Sequence, residues 1–81
     1  MLNLEVKTTW SREKAMEALK NYFGKGGLGL EITAETPECL TFEGGGGFVT
    51  ANVCSRDNHT RIDFQTQEWD YQVRKFSSSL P

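Results

Sequence analysis

Three places in the chain carry residue types that could do chemistry: the thiol of Cys54, the imidazole of His59 and the four consecutive glycines Gly44–Gly47. A thiol works as a nucleophile in its thiolate form, which a neighbouring guanidinium favours. An imidazole next to a carboxylate, here Asp57, could pair a base with the group that orients it. Glycines gathered in a run either cradle a phosphate or turn a chain. Which of these applies depends on the elements that hold the residues.

For the glycines the flanking sequence decides. A phosphate loop needs a strand before it and a helix after it whose first amides face the anion, closed by a Lys with Ser or Thr. After Gly47 comes "FVTANVC", which alternates Val49, Ala51 and Val53 against Phe48, Thr50 and Asn52, the period of a strand. A two-residue turn at Gly45 and Gly46 sets Phe42 opposite Val49 and Leu40 opposite Ala51, with all four on one face. Glycine supplies the positive φ that such turns require, so the run reads as a hairpin. A second turn centred on Asp57 and Asn58 pairs Val53 with Ile62 and Ala51 with Phe64, on the same inner face.

The remaining elements follow from periodicity. "LNLEVKT" alternates Leu2, Leu4 and Val6 against Asn3, Glu5 and Lys7 as a first strand. A helix is expected after Ser11 as cap, with Ala15, Ala18, Leu19, Tyr22 and Phe23 on one side and Gly24 as a left-handed closing residue. The glycines of "GKGGLG" follow this helix, where the dipole is negative, and read as a helix stop and joint. "LGLEITA" is expected as a strand with Leu28, Leu30, Ile32 and Ala34 inward, "CLTFE" as the next with Leu40 and Phe42 inward, and "TRIDFQT" as the fifth. The tail switches to a helical stripe, Trp69, Val73, Phe76 and Leu80, with Thr66 or Gln67 as cap. The chain reads β-α-β-β-β-β-α: an α+β domain over residues 1–81, one five-stranded antiparallel sheet with two helices on one face.

On this layout Cys54 falls across from Arg61 on the outer face, which makes it the candidate reactive thiol. Cys39 falls opposite Asn52, diagonal to Cys54 and too far for an unstrained disulfide. No acid–base partner accompanies either thiol, and His59 sits in a solvated turn with no nucleophile beside it. No paired carboxylates, metal-ligand spacing or Ser-His-Asp set stands out, so no catalytic residue, metal or cofactor is expected.

Composition narrows the remaining classes. The 81 residues are 37% hydrophobic and 25% charged, which suits a folded globular domain. Nine Lys and Arg against eleven Asp and Glu give a net charge of −2, so no long-range field draws the chain to nucleic acid or an anionic membrane. Met1 leads into "LNLEVK" without a basic segment before an apolar run, and the expected location is the cytoplasm.

The order of elements resembles a single repeat of the TATA-box-binding-protein fold and a short form of the helix-grip fold of lipid- and hormone-binding proteins. It is similar, too, to small bacterial domains of this layout. The resemblance spans nearly the whole chain and implies that the last strand returns beside the first, leaving the second strand at the opposite edge. It carries no functional motif of either family. On the outer face four acids (Glu5, Glu31, Glu43 and Asp63) face two bases (Lys7 and Arg61), which disfavours duplex DNA.

Three roles remain as expectations. The first is binding of a protein partner, or self-association, through an open sheet edge or the polar face, with Glu31, Phe48, Thr50, Asn52, Arg61 and Asp63 as candidate contacts. The second is binding of a small apolar ligand between sheet and helices, near Trp10, Tyr22 and Trp69. The third is a redox sensor at Cys54.

Overall fold

The computed structural model describes residues 1–81 and places seven elements in the order β1 (Leu2–Thr8), α1 (Arg12–Phe23), β2 (Glu31–Thr36), β3 (Cys39–Gly44), β4 (Gly47–Ser55), β5 (Thr60–Gln67) and α2 (Asp70–Ser78). The strands form one antiparallel sheet in the order β1-β5-β4-β3-β2, so the first strand lies beside the fifth and β2 forms the far edge. This is the expected α+β architecture.

Local chemistry sets the hairpins. Gly45 and Gly46 have φ of 59° and 81°, and the register they impose pairs Phe42 with Val49 and Leu40 with Ala51. The β4–β5 hairpin pairs Val53 with Ile62 and Ala51 with Phe64, its loop closed by the Arg56 amide donating to the His59 carbonyl at 2.7 Å. Both hairpins therefore deliver their apolar residues to the same face.

That face is sealed by the helices. Ser11 caps α1 by accepting from the Lys14 amide at 3.2 Å. Phe23 near the end of α1 meets Phe42, Phe64 and Phe76 at ring-centroid distances of 5.5, 6.4 and 5.7 Å, and all four rings are buried. The volume between sheet and helices is thus filled by aromatic packing. Trp69 adds a fastening from α2, its indole Nε1–H donating to the Gly44 carbonyl at 2.9 Å.

Three local expectations are corrected. Gly24 ends α1 with φ −80° and is not left-handed. The joint folds back instead, and the amides of Leu28 and Leu30 donate to the carbonyls of Tyr22 and Phe23, each at 2.9 Å. A Cβ on Gly27 would collide with the Tyr22 carbonyl, so close approach explains that glycine. Neither Thr66 nor Gln67 caps α2. Both stay in β5, where Thr66 is fully buried and donates to the Phe48 carbonyl at 2.7 Å, and the chain turns at Glu68, φ 76°, leaving Trp69 at the N-cap position without a side-chain capping bond. Strand pairing on a buried face outweighs a capping bond there.

The third correction concerns β2. Of the four residues expected inward, only Leu30 is buried; β2 starts at Glu31 and every residue in it is exposed. Ile32 pairs with Phe42, but Ala34 pairs with Thr41 and Glu35 with Leu40, so a bulge at Thr33 moves the strand out of phase. Glu35 consequently turns to the helix side and makes an ion pair with Lys20 of α1.

Candidate functional site

Beyond the side covered by the helices, the sheet presents its outer face and its two edges. On the outer face, β4 presents Phe48, Thr50, Asn52 and Cys54 in alternation, β5 presents Arg61 and Asp63 beside them, and β2 contributes Glu31 two strands away. The sheet brings the candidate contacts onto one side, as the alternation implies, but it distributes them unequally.

Glu31 and Phe48 share an open concavity of about 600 Å³ with Thr41, Glu43 and Gln67. Phe48 is half-buried, lying between Glu43 on one strand and Gln67 on the other, so it is not a fully exposed ring. Glu31 stands directly opposite Glu43, a like-charge pair. Glu43 is partly compensated by the Thr33 hydroxyl, which donates to its carboxylate at 2.8 Å.

Farther along the face the polar groups lie close together, although the buried Arg61 Nε–H has no hydrogen-bond partner. The hydroxyls of Thr41 and Thr50 are 3.3 Å apart, and Arg61 Nε lies 3.3 Å from an Asp63 carboxylate oxygen. Cys54 is directly across from Arg61 and Cys39 across from Asn52, and both thiols are free and half-buried. Asp63 thus shares the charge of the guanidinium beside Cys54 through an ion pair without a hydrogen bond. His59 is in the loop between β4 and β5, bordering a shallow concavity of about 310 Å³ with Trp10, Arg12, Arg56 and Asp57. No group of three His, Cys, Asp or Glu side chains converges to a metal-binding arrangement.

The β2 edge is different in kind. Ile32 is 40% exposed and Leu28 38% exposed, while their neighbour Leu30 is 3% exposed. Together Leu30 and Ile32 line a concavity of about 470 Å³ with Lys20, Gly24, Lys25 and Glu31, between the end of α1 and the strand. An unpaired strand edge thus adjoins an apolar recess that could receive a side chain. The edge is legible in the sequence and the recess is not, because the alternation of Leu28, Leu30 and Ile32 assigns them a face without saying whether a helix covers it.

No helix is long and apolar enough to cross a membrane. No family model matches the chain, and comparison with curated proteins finds no match.

Proposed function

We propose that this domain binds an extended segment of another protein chain along the free edge of β2, a binding rather than a catalytic role. The supporting observation is the exposure of all six β2 residues beside the recess at Leu30 and Ile32. Strand addition would supply main-chain hydrogen bonds from the edge, and an apolar side chain of the segment would enter the recess for specificity. Glu31, which already faces Glu43, would bring further like charge to a seam between two copies of β2, so a different chain is the better occupant of this edge. The bulge at Thr33 supports selectivity, since it spoils pairing with arbitrary flat strands. Phe48, Thr50, Asn52, Arg61 and Asp63 form the adjoining polar face that a larger partner would cover.

The small-ligand alternative is disfavoured by the aromatic packing that fills the space between sheet and helices. A redox role at Cys54 has the weaker support of a guanidinium shared with Asp63.

Affinity capture from native lysate with wild-type and Ile32→Lys baits tests the proposal, because a lysine at an exposed edge position blocks strand addition while sparing the core. The expected result is a partner retained by the wild type and lost by the variant. If both baits retain the same proteins, while a lipid or other small molecule co-purifies and raises the melting temperature, the ligand-binding role replaces this one.

A further inference from the structure

The other edge of the sheet, β1, points to a second copy of the chain. Unlike β2 it carries no bulge: all seven of its residues pair in unbroken register with β5, from Leu2 opposite Thr66 to Thr8 opposite Thr60. Its outer side is unpaired backbone. Leu2, Leu4 and Val6 are only half-buried, although each packs against the core. A regular, uncovered edge with a partly exposed apolar row is a pairing surface by geometry.

Charge identifies the occupant. Within the chain Glu5 lies directly opposite Asp63 and Lys7 directly opposite Arg61, so both charged residues of β1 face like charges. Arg61 and Asp63 pair with each other along their own strand, and neither Glu5 nor Lys7 takes part in any ion pair. Like charges directly opposite across a sheet are destabilising, and opposite charges there are stabilising. An antiparallel two-fold pairing of β1 with its own copy, centred on Val6, sets Glu5 of each chain opposite Lys7 of the other. The same register places Val6 against Val6 and Leu4 against Thr8 on the helix side. The acid and base left unmatched inside one chain are thus matched twice between two.

We propose that the domain self-associates through β1 into a two-fold dimer with a continuous ten-stranded sheet, held in register by reciprocal Glu5–Lys7 pairs. The arrangement is isologous and closes on itself, which leaves a β2 edge free at each end. It is independent of what β2 binds. The contact is small, so the dimer is weak and salt-sensitive.

Sedimentation velocity from roughly 10 μM to roughly 1 mM protein, a range suited to a concentration-dependent weak dimer, tests it with charge reversals. Glu5→Lys and Lys7→Glu each place like charges across the two-fold, and each should weaken dimerisation by roughly tenfold or more. Both changes put an opposite charge across from Asp63 or Arg61 within the chain, so neither should lower the melting temperature and lost dimer cannot be attributed to unfolding. An equimolar mixture of the two variants should recover the dimer as a heterodimer, and the double variant Glu5→Lys with Lys7→Glu should recover it as a homodimer. Ile32→Lys should leave dimerisation unchanged. A wild type that stays monomeric throughout, single reversals that dimerise as well as the wild type, or a dimer abolished by Ile32→Lys would each overturn the proposal.

Discussion

Alanine substitution of Gly45, Gly46 and Gly47 at the β3–β4 turn should give three different costs. Gly46 has φ 81° and nothing within 4 Å of where a Cβ would stand, so Gly46→Ala meets backbone strain alone. The left-handed conformation costs alanine about 1–2 kcal/mol, of which about 0.4–1 kcal/mol is offset by the stiffer unfolded chain, leaving a net loss of about 0.5–1 kcal/mol. Gly45→Ala carries the same strain at φ 59°, and its Cβ would stand 2.9 Å from Cζ2 of Trp69. Displacing that ring loosens the indole bond to the Gly44 carbonyl, which adds about 0.5–1.5 kcal/mol for a total near 2 kcal/mol. At Gly47 the backbone is not left-handed, but a Cβ would collide with the Gln67 carbonyl oxygen and lie 2.6 Å from the Cβ of Glu68. Both obstacles are fixed to the chain, so Gly47→Ala should cost about 3 kcal/mol, the upper end for overpacking. Gly46→Asn should be nearly neutral, since asparagine adopts the left-handed region. Urea unfolding of the four variants gives the ranking. Equal losses at all three positions, or a Gly46→Asn as costly as Gly47→Ala, would refute this account of the turn.

Three further outcomes follow from the same geometry. Trp69→Phe keeps most of the ring and removes the bond to Gly44, so chemical denaturation should show a loss of about 0.5–1.5 kcal/mol. Glu31→Lys converts the like-charge pair with Glu43 into an opposite-charge pair, and thermal unfolding at low salt should show a gain of about 0.2–1 kcal/mol. Duplex DNA should give no anisotropy change at about 0.15 M salt, because Glu5, Glu31, Glu43 and Asp63 outnumber Lys7 and Arg61 on the open face; micromolar binding with a steep salt dependence would contradict it.

Much of this fold is legible in the chain because its registers are set locally. Gly45–Gly46 and Asp57–Asn58 fix two turns, and counting outward from each gives the pairs of β3 with β4 and of β4 with β5, including Cys54 across from Arg61. Where an element's state depends on distant partners, pattern alone fails. Thr66 reads as a helix cap, but its position on a buried strand face keeps it in β5. Leu28 and Ile32 alternate like core residues, but no helix covers them, and the bulge at Thr33 leaves no signature in composition. The like-charge neighbours of Glu5 and Lys7 emerge only from the register of the first strand with the fifth, which no short turn dictates. The candidate contacts were legible as a face and not as a site, since alternation orients side chains without revealing which of them bind one another, as Arg61 and Asp63 do.

Hydrogen exchange across β2 distinguishes strand addition at this edge from binding elsewhere on the domain. With a partner segment bound, edge amides between Glu31 and Thr36 that point away from β3 should become protected, while amides of β4 and β5, already paired on both sides, should change little. Protection that appears on the outer face or around the helices, with β2 exchanging as fast as in the free protein, would contradict strand addition at this edge.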